Sequence, residues 1–289
     1  MIHQVLEKLL EKGLQLHANT PVSSVSSTQD AQGKWTVTTP RGAVKAGQVI
    51  YATNAYTPGI LPEYQRSIIP TRGICSHITT PQGTQSPHLV NSYALRHDAG
   101  TFDYLIPRTD GSIIVGGARQ RFWHNRERWY GNVRDDELVG EAVPYFDDYM
   151  QRHFRGWEES GAVAERVWTG SKISPLFPLF SEFCRDVRLS LTRMCFLSPV
   201  MGYSSDFVPH VGEVPNKPGQ FIIGGFSGHG MPAILLCGKG LAAMVRDGVP
   251  FERTGLPRVF KTTWERISAS RSPLGESLRP VFEGVGSKL

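Results

Sequence analysis

Residues 221–245, FIIGGFSGHGMPAILLCGKGLAAMV, join two apolar segments through a turn that holds Gly224, Gly225, Gly228 and Gly230. Phe221, Ile222 and Ile223 read as a buried strand, because a short apolar run bounded by glycine suits a strand better than a helix. Met231–Val245 reads as a helix that is apolar on nearly every side, with Lys239 its one charge before Arg246. Pro232 suits the first turn of such a helix, where its missing N–H costs nothing. A helix start carries four unpaired N–H groups and the positive end of the dipole, which together favour an anion or an electron-rich carbonyl.

Other readings of this turn are narrower. A serine nucleophile elbow needs glycine two residues before and two after the serine. Ser227 has Gly225 before it but His229 after it, and no histidine follows His229 to act as base. No G-x-G-x-x-G occurs anywhere, so the turn is not the dinucleotide fingerprint. A purely structural turn, bending a strand onto a buried helix and binding nothing, is the plain alternative to a cofactor cradle.

The rest of the chain gives the turn its setting. At 289 residues and 40% hydrophobic composition, the chain can form one large domain or two intertwined ones. Ile2, Val5, Leu6, Leu9 and Leu10 fall at helical spacing, so an amphipathic helix begins at once, as if the chain started inside a domain. Glu7, Lys8, Glu11 and Lys12 interrupt any signal-peptide core, and no apolar run approaches the roughly 20 residues of a membrane span. Cys75, Cys184, Cys195 and Cys237 lie far apart, which points to a reducing, cytoplasmic setting with no disulfide framework and no zinc spacing.

Residues 14–27 read as a strand and turn. KWTVTTP and AVKAGQVIYATNA read as a hairpin followed by a short apolar strand ending at Thr53-Asn54-Ala55. DYLIPRTDGSIIVGG reads as a second hairpin around Asp110-Gly111. Asp135–Phe154 has the apolar spacing of one amphipathic helix, despite Pro144. Ser171–Val200 keeps neither helical nor strand period; it reads as a retained intron or faulty gene model, with a genuine insertion as the alternative.

The segments GGFSGHGM and DFVPHVGEVPNKPGQFIIG, with QVIYATNAYTPGILPEYQRSIIPTRG, YLIPRTDGSIIVGGA and ERVWTG…MGYSSD, together carry a resemblance. They resemble the superfamily of D-amino-acid oxidase, glycine oxidase and sarcosine oxidase, in a fungal-type and N-terminally incomplete member. The resemblance spans about Leu14–Arg246. It implies an α/β plus α+β fold: a Rossmann-like FAD domain lacking its first βαβ unit, and an antiparallel substrate domain. The FAD domain would be residues 1–66 and 207–270. The substrate domain would be 67–206, with 171–200 as an atypical insertion, and 271–289 would form a tail.

The resemblance also implies roles. Val22 would pass its backbone near the adenine, and Ala52, Thr53 and Asn54 would close over the adenosine and pyrophosphate. Gly225, Gly228, Gly230 and Met231 would surround the flavin and ribityl chain, with His229 and Tyr203 as catalytic candidates. Some relatives attach flavin through a cysteine near MGYSSD; none lies within Met201–Asp206, so noncovalent FAD is expected. The implied reaction oxidises the C–N bond of a small amine or amino acid by hydride transfer to flavin. The alternatives are a truncated, non-catalytic member without FAD, and a tailoring dehydrogenase on a non-amine substrate.

An arginine would clamp a substrate carboxylate through a two-pronged bond. Arg72 and Arg166 are the candidates, while Arg108, after Leu-Ile-Pro, reads as a hairpin-end ion pair. The net charge of +5 brings nucleic acid into consideration. Arg119, Arg121, Arg126 and Arg128 with Phe122, Trp123 and Trp129 could stack bases, yet Glu127 and the acids from Asp135 dilute their field. The run reads instead as a solvated loop with aromatic anchors or as a cleft wall.

Overall fold

The computed structural model describes residues 2–84, 87–98, 101–169, 172–173 and 200–268. The chain divides into two compact units, and among the described residues the first holds 2–68 and 208–268 and the second 69–207.

The first unit opens with α1 (Ile2–Glu11), which Gly13 closes. Of the strand expected within 14–27, only β1 (Ser24–Val25) is paired. Proline 21 and the turn at Ala18–Asn19, with Asn19 at φ 52°, keep the residues before it out of any ladder. β1 lies antiparallel to β2 (Trp35–Thr39), which forms the expected hairpin with β3 (Gly42–Ala46). β4 (Val49–Tyr51) follows, and then Pro58 and Pro62 restrict the chain to short turns such as α2 (Thr57–Ile60).

β5 (Ile68–Arg72) begins at the unit boundary and leads into β6 (Cys75–Thr79), β7 (Tyr93–Arg96), β8 (Phe102–Pro107) and β9 (Ile113–Gly116). Then come α3 (Arg119–Phe122), a 3-10 helix at Gly140–Phe146, α4 (Tyr149–His153), β10 (Val163–Thr169), β11 (Lys172–Ile173) and β12 (Val200–Ser204). β11, β10, β6, β9, β8 and β7 form an antiparallel sheet in that order, and β12 pairs with β5. One face packs Leu105, Val115 and Val167 onto Phe146, Tyr149, Met150 and Trp157. Phe102, Tyr104 and Ile106 alternate onto the opposite, open face.

The single helix expected over Asp135–Phe154 is two pieces. Pro144 has no N–H to continue an α-helix, and Asp148 sits at φ 50°, outside helical geometry. Most of Ser171–Val200 lies outside the described residues.

The chain returns to the first unit with β13 (His210–Glu213), β14 (Gln220–Gly224), α5 (Ile234–Asp247) and α6 (Trp264–Ser268). β14 is antiparallel to β13 and parallel to β4, so segments far apart in sequence make one sheet. Phe221 on one face meets Cys237, Leu241 and Met244 of α5, while Ile222 on the other meets Tyr51, Leu61, Tyr64 and Ile267. Among the described residues no helix is long and apolar enough to cross a membrane.

Candidate functional site

The glycine turn is built by its own backbone and by one remote side chain. Gly225, Ser227 and Gly228 have φ of 73°, 54° and 77°, a left-handed path on which glycine is unstrained. Asn54 Oδ1 accepts hydrogen bonds from Gly225 N at 3.0 Å and Phe226 N at 3.3 Å. A methyl group on Gly224 would lie 3.2 Å from Asn54 Cα, so the absent side chain is what lets the two segments meet. Thr53 and Thr57 share a hydroxyl hydrogen bond of 2.9 Å beneath Asn54, in the turn after β4.

Of the residues assigned to FAD, the structure therefore brings Asn54 to Gly225, with Thr53 supporting it and Ala52 exposed beside it. Gly230 closes the turn: Ile234 N donates to its carbonyl at 2.8 Å, and a methyl group here would press on Phe226 at 3.0 Å. The helix begins at Ile234 rather than Met231, with Pro232 in the turn before it. Met231, Leu235 and Leu236 are exposed, an apolar rim around the helix start. Val22 stands apart, half-buried in the lead to β1 of the hairpin sheet.

His229 is exposed in the turn, and its Nδ1 lies 3.0 Å from the carbonyl oxygen of Ser227. A carbonyl can only accept, so Nδ1 donates the hydrogen in this bond.

In the second unit the arginines separate by environment. Arg72 is 2% exposed, and its guanidinium donates to the carbonyls of Arg128, at 3.1 Å, and Glu137. Burial pulls its pKa below the usual arginine value. Both prongs are spent on main chain, so the clamp expected of Arg72 does not match its surroundings. Arg166 is partly exposed on β10 beside a bulge, 3.8 Å from Glu165. Arg108 pairs with Asp110 at 3.5 Å across the hairpin end, as its sequence position suggests.

The arginine that sequence reasoning missed as an anchor is Arg119. Its Nη2 donates to Tyr203 Oη at 3.3 Å, and its guanidinium lies 5.4 Å from the Trp123 ring centre. Trp123 in turn stacks on Trp129, with ring centres 4.1 Å apart. Among the described residues no carboxylate forms an ion pair with Arg119. Tyr104 lies close by over Gly116, with its hydroxyl 2.9 Å from Cys75 Sγ. Burial raises the Cys75 thiol to about 11 and pushes the Tyr104 phenol up as well, so both are neutral at physiological pH. The sequence signal for Arg119 was its place in the basic, aromatic run. That run is a helical turn with stacked indoles, and its cations lie over rings: Arg126 is 3.9 Å from the centre of Tyr130. Among the described residues, no cluster of acids, histidines and cysteines could hold a metal.

The first unit is a discontinuous α/β unit with a glycine turn at a helix start, and the second is built on an antiparallel sheet. The chain belongs to the FAD-dependent oxidoreductase family DAO, whose profile matches residues 1–244. Its structure is similar to glycine oxidase from Geobacillus kaustophilus, with 17% identity and a TM-score of 0.56 over 87% of this chain and 54% of that one. Iminodiacetate oxidase from Chelativorans sp. BNC1 gives 16% identity and 0.57 over 87% and 56%. Fructosyl amine:oxygen oxidoreductase from Aspergillus fumigatus gives 14% and 0.51 over 86% and 50%. At such identities the likeness is one of fold, and the chain spans about half the length of these structures. No curated protein matches the chain significantly.

Proposed function

We propose that this chain is an FAD-dependent oxidoreductase that oxidises the C–N bond of a small amine or amino acid. The observation that carries the reading is the Asn54 amide, which holds the N–H groups of Gly225 and Phe226 and so fixes the glycine turn at the start of α5. The residues present fit the flavin end of FAD: a turn open at Gly228, an exposed apolar rim and a helix N-terminus. Gly225, Gly228, Gly230 and Met231 would hold that end noncovalently. Ala52, Thr53 and Asn54 would border the adenosine and pyrophosphate, and Val22 the adenine. Bound there, FAD would supply the two-electron acceptor for a C–H beside nitrogen.

The chain's own residues would do the positioning. The α5 N-terminus offers a fixed positive end toward a carbonyl that gains negative charge on reduction. The His229 ring, fixed by its Nδ1 bond to the Ser227 carbonyl, stands exposed in the same turn. In the second unit, Arg119 carries the charge suited to a substrate carboxylate, with Tyr203 oriented by its bond to Arg119. The neutral Tyr104 hydroxyl adds a group that can both donate and accept.

Neighbours of the same fold are named as oxidases of glycine, iminodiacetate and fructosyl amines, which supports an amine or amino-acid substrate. The test is to add glycine, D- and L-amino acids and iminodiacetate to the FAD-loaded chain without oxygen. The flavin band should bleach with at least one of them; a band that survives all of them contradicts amine oxidation.

A further inference from the structure

We propose that Asp103 is a positioning residue that sets Arg119 for a small carboxylate, acting through the Gly117–Ala118 turn; this rests on the reading of Arg119 given above. Asp103 lies on β8 with its side chain wholly buried on the core face of the sheet. Its Oδ1 accepts the Ala118 N–H at 2.9 Å. Its Oδ2 accepts from Tyr145 Oη at 2.5 Å, Tyr149 Oη at 2.9 Å and His97 Nε2 at 2.9 Å. A buried carboxylate is tolerated only when hydrogen-bonded in this way, and an apolar side chain of similar volume fills a core at least as well. The carboxylate therefore has work beyond packing.

That work is visible at the turn after β9. Ala118 stands at φ 53° and Gly117 at φ 147°, the conformations that aim the chain into α3. A methyl group on Gly117 would fall on the Asp103 carboxylate, and one on Gly116 would fall on the Tyr104 ring. Asp103 and Tyr104, consecutive on β8, thus grip consecutive glycines from opposite faces of the sheet. The residue that leaves this grip is Arg119. Next to it, Arg121 rests its guanidinium 5.7 Å from the Tyr145 ring, so the same phenol that bonds Asp103 also braces the far side of the turn. The other charged or titratable groups around the network are His97, His153 and Arg152, which lie along Tyr145 and Tyr149.

The sign of one substitution separates positioning from simple electrostatics. Removing a nearby negative charge by itself strengthens anion binding, whereas loosening the turn weakens it. Benzoate binding to the whole chain, measured by calorimetry, is the readout. Arg119→Gln should abolish binding. Asp103→Leu, which leaves the Ala118 N–H without its acceptor, should weaken it roughly tenfold, the size of a coupling between residues in one network. Asp103→Asn, whose amide oxygen can still accept the Ala118 N–H, should retain most of the binding.

If Arg119→Gln abolishes binding while Asp103→Leu binds as well as the parent or better, the role of Asp103 is overturned and Arg119 stands. If the parent does not bind benzoate, or Arg119→Gln still does, the reading of Arg119 falls and this inference falls with it. Should Asp103→Leu fail to fold, amide exchange in the parent decides: benzoate must slow exchange across residues 117–123, and unchanged exchange there overturns the proposal.

Discussion

Asn54 joins two stretches that lie 171 positions apart, and it does so with a single side-chain oxygen. Asn54→Ala leaves the N–H groups of Gly225 and Phe226 without their acceptor, which costs about 1–3 kcal/mol for such groups out of water. Denaturant unfolding should show that loss, and an unchanged midpoint would contradict the clamp. The sequence marked both Asn54 and Gly225 as cofactor residues through family resemblance, but not that one holds the other. No local pattern encodes a bond that exists only after β4 and β14 pair in parallel. The arginines make the same point. Arg72 and Arg119 are equivalent as letters, and only burial shows that the first serves two carbonyls while the second meets a tyrosine and an indole.

At the scale of the element, α5 contains two glycines with opposite consequences. A methyl group at Gly240 would come within 2.6 Å of Leu256 and 3.2 Å of Thr254, whereas nothing lies within 4 Å of one at Gly238. Gly238→Ala should raise stability by about 0.5–1 kcal/mol through helix propensity. Gly240→Ala should lose roughly 1–3 kcal/mol to overpacking, less whatever propensity returns. Thermal unfolding of the two variants checks this; a shift in the same direction for both would contradict the packing of α5. Strands and hairpins were legible because alternation and Asp-Gly turns are local signals, as at Phe102–Gly116. The helix expected over Asp135–Phe154 was not, because apolar spacing there outweighed Pro144 in the pattern but not in the backbone. The start of α5 was displaced for a related reason: Gly230 takes the first hydrogen bond before the helix is under way.

At the scale of the molecule, the first unit draws on both ends of the described chain, and the glycine turn follows the strand that joins them in one of its two sheets. α5 packs on β13 and β14 through Val211 and Phe221, while β14 lies parallel to β4 from the other end of the described chain. The family was legible in the sequence because its motifs sit at these junctions. The substrate was not, since the fold is shared by proteins named as oxidases of different amines. The proposed activity requires the Gly225–Gly230 turn to hold a flavin. The most direct measurement is the visible spectrum of the purified chain after incubation with excess FAD and desalting. A flavin band that stays with the protein, and is weaker with Asn54→Ala, is the predicted result; a colourless protein would contradict it.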